Sequence, residues 1–155
     1  MKITILTVGE NKFPYLKSGE KLYIERLSHY TDLTLRSLAL SRKMKNGSPE
    51  QMMKAESERF RALTDGAMVC SLDRQGKMLD SESFAHQIQM WHNRSVSKLA
   101  FCIGGPFGLD SEFIRQSDFV LSLSSMTFPH DMVRLFFLEQ LYRAFTILNG
   151  EKYHK

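Results

Sequence analysis

The chain is poor in the residues and runs that staple or anchor a fold. It has two cysteines, Cys70 and Cys102, each inside an apolar run (AMVCSL and LAFCIGG). No C-x-x-C spacing occurs, which excludes a zinc knuckle and a thioredoxin-type redox motif. Reduced, buried thiols are expected at both positions. No apolar run approaches the ~20 residues of a membrane span. The opening MKITILTVGE has an apolar part too short for a secretory signal, whose core runs to about 7–15 residues. It reads as a first strand, and the protein is expected in the cytoplasm. Repeats and low-complexity segments are missing. So are G-x-G-x-x-G, G-x-x-x-x-G-K-[ST] and G-x-S-x-G. Their absence disfavours a dinucleotide-binding unit, removes the P-loop NTPases and disfavours an ordinary α/β-hydrolase.

What is present is ordinary globular sequence. The 155 residues are 43% hydrophobic and 25% charged, which suits one domain over 1–155 with a core that needs no staple. The formal net charge of +4 permits a nucleic-acid partner without demanding one.

Five short runs of β-branched and bulky apolar residues recur: Lys2–Val8, Leu33–Leu40, Met68–Leu72, Leu99–Ile103 and Phe119–Leu123. Helical spacing lies between and after them. Pro14–Ser28 carries Leu16, Tyr23, Ile24 and Leu27 at helical intervals, and Pro49–Leu63 follows Ser48 as a cap. A third helix after Ser81 sets Phe84, Ile88 and Trp91 on one face, and a short fourth starts at Asp110 or Ser111. The last, Pro129–Leu148, stops at Asn149-Gly150. This alternation predicts the α/β class: a parallel sheet of about five strands with helices on both faces. The last helix is apolar around most of its circumference, where a helix covering one sheet face needs a single stripe. Either it is central within the monomer or a second copy of the chain covers it; the small domain favours a homodimer.

In open parallel sheets, ligands bind at the carboxyl ends of the strands. Three segments stand there: SLDRQGK after the third strand, IGGPFGL after the fourth and LSLSSMTFPH after the fifth. Three glycines within five residues let a backbone approach a ligand closely, although a tight turn would need them too. The third segment can hold a flat heteroaromatic ring between apolar side chains and backbone groups. It can equally be a capped helix start, with Ser125 or Thr127 near the cap and Pro129 in the first turn.

Taken together these loops resemble a known family. IGGPFGL (103–109), LSLSSMTFPH (121–130), V-R at 133–134, EQLYRA (139–144) and the closing Y-H-K (153–155) are similar to bacterial ribosomal RNA large-subunit methyltransferases of the SPOUT class. KITILTVG and SLDRQGK fit as well, and the resemblance spans the whole chain. It implies a C-terminal trefoil knot, a homodimer and S-adenosylmethionine as cofactor. The implied substrate is a pseudouridine of 23S rRNA, methylated at N3 in the assembled ribosome. The implied cofactor residues are Leu72, Gly104, Leu123, Ser124, Ser125, Met126, Thr127 and Phe128, with Gly105 and Gly108 shaping the same loop.

N3 of a pseudouridine is an imide nitrogen and must shed its proton to attack, so a base or an anion stabiliser is required. His154 is the candidate base by side-chain type. Tyr153 is a candidate to orient the ring and Arg143 to stabilise it. The plain alternatives are a frayed tail for the first two and an ion pair with Glu139 for Arg143. Arg134, Lys152 and Lys155 are candidate RNA contacts. His130 reads as structural, and His29, His86 and His92 as surface residues without metal spacing; no metal is expected. From Ser41 to Arg61, six basic residues (Arg42, Lys43, Lys45, Lys54, Arg59, Arg61) face three acidic ones (Glu50, Glu56, Glu58), which localises most of the net charge. Two other functions compete: a non-catalytic dimeric nucleotide- or RNA-binding module, and a hydrolase using Ser124 or Ser125 with His130 and Asp131.

Overall fold

A computed structural model describes residues 1–39 and 46–155. Arg42, Lys43 and Lys45 lie outside the described residues. The elements in order are β1 (Lys2–Val8), α1 (Pro14–Leu27), β2 (Asp32–Leu38), α2 (Pro49–Leu63), β3 (Met68–Met78), α3 (Ser81–Asn93), β4 (Lys98–Ile103), α4 (Ser111–Gln116), β5 (Phe119–Ser122) and α5 (His130–Leu148). The strands form one sheet in the order β2-β1-β4-β3-β5, and every pairing is parallel. No helix among the described residues is long and apolar enough to cross a membrane.

The period-two alternation of the strands divides the core. Ile3, Ile5, Leu99, Phe101 and Ile103 point to the face covered by α1, α3 and α5. Leu6, Val8 and Cys102 point to the opposite face, under Phe60 of α2 and Phe113 of α4. Trp91 is core. Both thiols are free and buried, and desolvation pushes Cys102 up to about 12.

Local sequence explains the helix ends. Ser48 accepts a hydrogen bond from the Gln51 backbone N–H while the Gln51 side chain accepts from the Ser48 N–H, a reciprocal capping box. Asp110, not Ser111, caps α4. At α5 the expectation fails: Pro129 is the cap residue itself, and neither Ser125 nor Thr127 caps the helix. The turn after α3 places Ser95 at φ 61°, the single non-glycine at positive φ among the described residues. A side chain there costs about 1–2 kcal/mol, partly offset by the extra chain entropy of glycine. Ser95→Gly should therefore stabilise the fold by about 0.5–1 kcal/mol in urea denaturation.

Much of the apolar breadth of α5 is covered inside the chain. Phe137, Leu138, Leu141 and Ala144 are fully buried. Phe137 packs on Phe101 and Phe84 (ring centroids 4.6 and 6.2 Å), and Tyr142 packs on Tyr23 at 5.8 Å. The helix lies between α1, α3 and the sheet, so the central-helix alternative accounts for its composition. Of its large apolar residues Phe136 stays exposed.

β3 outruns the strand expected from its apolar run. Leu72 and Lys77 both stand opposite Leu121 on β5, so residues 73–76 arch out of the ladder. Asp73 Oδ1 accepts the Gln75 N–H and folds the arch. A Cβ on Gly76 would lie 2.7 Å from the Val120 backbone. Glycine is what lets the returning strand touch β5.

Candidate active site

The carboxyl ends of β3, β4 and β5 open onto a cavity of about 510 Å³. That is within the ~300–1,000 Å³ typical of small-molecule and cofactor sites. β3 supplies Leu72, Asp73 and Arg74. β4 supplies Ile103, and the loop after it supplies Gly104 to Gly108. The segment after β5 supplies Leu123, Ser124, Met126, Thr127 and Phe128, and α5 adds His130 and Val133.

The glycine loop is a closed hairpin. Gly105 and Gly108 form an antiparallel bridge, and the Gly108 N–H donates to the Gly105 carbonyl at 3.0 Å. A Cβ on Gly104 would sit 2.5 Å from the Gly108 carbonyl carbon. The segment after β5 is held by its own serines. Ser122 Oγ donates to the Ser124 carbonyl at 3.0 Å, and Ser124 Oγ accepts the Met126 N–H at 3.0 Å.

Of the eight cofactor residues that the sequence proposes, seven line this cavity; Ser125 does not. Asp73, Arg74 and Val133 were not singled out, although the strand-end rule had already marked the β3 segment. His130 is on the cavity wall, with Nε2 3.4 Å from Asp131 Oδ1. No hydrogen bond joins Ser124 or Ser125 to His130 among the described residues, so the geometry gives the hydrolase reading no support.

A second cavity of about 520 Å³ shares Leu123, Ser124 and Phe128 with the first and extends to Phe136, Glu139 and Gln140 of α5. The carboxy-terminal tail is seated beside Glu139. Arg143 Nε and Nη2 donate to Glu139 Oε1 at 3.1 and 2.5 Å. The Tyr153 hydroxyl donates to the same oxygen at 3.1 Å and lies 3.3 Å from the Tyr23 hydroxyl. Arg143 Nη1 is 3.4 Å from His154 Nδ1, and its guanidinium covers the Tyr153 ring at 4.8 Å. His154 Nε2 is 3.8 Å from Glu82 Oε1.

His154, Tyr153 and Arg143 are thus brought together, and the ion pair to Glu139 foreseen as the plain alternative for Arg143 is present. The hydrogen bond and charge of Glu139 raise the Arg143 pKa further. Burial, then the hydrogen bond to Tyr23 and the charge of Glu139, push the Tyr153 phenol far up. At neutral pH Tyr153 keeps its proton and acts as a donor.

Arg134 needs correction as an RNA contact. It is 2% exposed. Its Nη2 donates to the Val8 carbonyl, and Nε has no hydrogen-bond partner among the described residues. Burial lowers its pKa, while the charges of Glu20 and Asp131 act in the opposite direction. Asn11 Nδ2 ties the same junction by donating to Glu20 Oε1 and the Asp131 carbonyl. An arginine so placed braces the end of β1 against α5 and cannot reach phosphate. Lys152 and Lys155 are exposed. No cluster of three His, Cys, Asp or Glu suited to a metal ion occurs among the described residues.

Comparison with known proteins agrees with this geometry. A family model described as "Predicted SPOUT methyltransferase" matches residues 1–154. The chain resembles the solved "Probable Methyltransferase from Bordetella pertussis Tohama I" with a TM-score of 0.57 at 12% identity, covering 93% of this chain and 96% of that one. A probable methylase family protein from Haemophilus influenzae gives 0.55 at 15%, covering 99% and 70%. These two likenesses show the fold. The chain belongs to the SPOUT methyltransferase family. Within it, the chain is 45% identical to the protein of Carboxydothermus hydrogenoformans named "Ribosomal RNA large subunit methyltransferase H", over the full length of both. It is 44% identical to the protein of the same name from Desulfotalea psychrophila, again over the full length of both.

Proposed function

We propose that this chain methylates N3 of a pseudouridine in 23S rRNA of the assembled ribosome, using S-adenosylmethionine, as a cytoplasmic homodimer. The observation that carries this reading is full-length identity of 45% to a protein named as a large-subunit rRNA methyltransferase, together with a cavity at the strand ends where the family motifs meet.

The residues present fit the cofactor. The cavity has the volume, its walls alternate apolar side chains with backbone, and the Gly104 hairpin is closed so tightly that a Cβ would fill it. Leu72, Gly104 and the segment Leu123 to Phe128 would hold the group. When bound, it supplies an electrophilic sulfonium methyl, so the protein's task is positioning and proton handling. The N3–H bond must break as N3–CH₃ forms. His154 accepts that proton in this reading, Arg143 stabilises negative charge on the ring, and Tyr153, which keeps its own proton, orients it.

In one protomer the tail cluster borders the second cavity, on the far side of the wall made by Leu123, Ser124 and Phe128. A partner subunit bringing its tail to the first cavity would complete the site. Exposed Phe107 and Met126 at the first cavity and Phe136 at the second support such a contact, since apolar surface gathered at a cavity rim marks an interaction site. Lys152, Lys155 and the basic residues Arg42, Lys43 and Lys45 would meet phosphate.

The test is methyl transfer from labelled cofactor to ribosomes lacking the modification, with free rRNA in parallel and nucleosides identified after digestion. N3-methylated pseudouridine from ribosomes is expected. A protein whose melting temperature rises with the cofactor but which transfers no methyl group would instead be the binding module.

A further inference from the structure

Glu56 is 2% exposed on the inner face of α2. Among the described ion pairs none includes it. A buried carboxylate without a cation is costly, and an apolar residue would serve helix packing better. What the carboxylate does is accept a hydrogen bond: Oε2 takes the Gly105 N–H at 3.2 Å. The next residue repeats the gesture, Ser57 Oγ accepting the Asp110 N–H at 3.3 Å. One turn of α2 therefore grips both ends of the glycine hairpin. The fit is mutual, because a Cβ on residue 105 would lie 2.8 Å from Glu56 Oε1. Burial pushes the Glu56 carboxyl above its ordinary range, and the Gly105 N–H pulls against that shift.

We propose that Glu56 is a positioning residue for the cofactor: through the Gly105 N–H it fixes the glycine hairpin in the shape of the cavity wall, with Ser57 holding the far end. This rests on the reading that the first cavity takes S-adenosylmethionine. Glu56 itself does not line the cavity, so it acts through the loop.

The experiment measures cofactor binding by calorimetry, cofactor KM and kcat on ribosomes, and thermal melting. The variants are Glu56→Gln, Glu56→Ala, Gly105→Ala and the double variant Glu56→Ala/Gly105→Ala. Glu56→Gln keeps an acceptor and should bind within about twofold of wild type. Glu56→Ala leaves a buried N–H unpaired and should raise cofactor Kd and KM about tenfold, with kcat at saturation within about threefold. Gly105→Ala should also weaken binding, and less so in the double variant, where the new methyl occupies space the carboxylate vacated. Wild-type affinity in Glu56→Ala overturns the proposal. So does a fall in kcat at unchanged KM that tracks a lost folded fraction. If Glu56→Ala does not fold, Glu56→Asp decides, since its shorter chain cannot reach Gly105: equal affinities for Asp, Gln and wild type overturn the proposal, while loss in Asp alone supports it. A wild-type protein that binds no cofactor removes the cofactor reading itself, and this proposal with it.

Discussion

His154→Ala should lower single-turnover methyl transfer to ribosomes by a factor of about 10²–10⁴, the range for removing a general base. Cofactor affinity and melting temperature should stay close to wild type, because the ring is half-buried on the tail and lies outside both cores. The geometry adds a condition. Arginine only donates, so its 3.4 Å contact at Nδ1 holds the neutral ring with its hydrogen on Nε2. In that tautomer Nε2 cannot take the proton of N3. The basic nitrogen is then Nδ1, so the ring must leave Arg143, which stays held by Glu139, before Nδ1 can take that proton. Full turnover in the alanine variant would remove His154 as the base and shift the burden to charge stabilisation by Arg143.

Gly104→Ala should have the second large effect, on binding. The new methyl would meet backbone, with Gly108 C at 2.5 Å, Gly108 O at 2.6 Å and Leu109 N at 2.8 Å. No side chain can swing aside there, so the hairpin must open. A cost of about 1–3 kcal/mol in stability is expected from overpacking. Cofactor affinity should fall by roughly ten- to a hundredfold, since every 1.4 kcal/mol is tenfold. The thermal shift at a fixed cofactor concentration should shrink with it. Gly66→Ala is the control. Gly66 also has positive φ, at +68°, but among the described residues nothing lies within 4 Å of its Cβ position, and it precedes the amino end of β3 whereas the cavity is at the carboxyl end. That variant should lose stability and keep cofactor affinity.

Much of this was legible before the fold. Short runs of β-branched and bulky apolar residues located all five strands, and local chemistry located the cap at Ser48 and narrowed that of α4 to Asp110 or Ser111. The strand-end rule pointed to the three segments that meet in the cavity, because strand direction fixes where loops converge. What failed depended on non-local partners. An apolar circumference says how many sides of α5 must be covered but not by what; α1 and α3 do it. Arg134 reads as a surface cation until the Val8 carbonyl and Glu20 are seen beside it. The apolar run of β3 ends at Leu72, because its polar arch carries no strand pattern and exists only by closing on Leu121. Glu56 was one acidic residue in a basic stretch, and nothing in its neighbourhood along the chain announces a glycine nearly fifty residues away.

The position of α5 has a consequence for how the protein is made. Its buried face completes the main core, and Tyr153 beyond it reaches back to Tyr23. β1 must wait for β4 before its second edge is paired. α1 must wait for the last helix. No amino-terminal portion that lacks α5 can therefore bury what it exposes, and one face of the sheet stays uncovered until that helix is added. The core is expected to close only when α5 docks, bringing Tyr153 and His154 with it. Truncation before α5 should leave an aggregating fragment rather than a smaller stable domain.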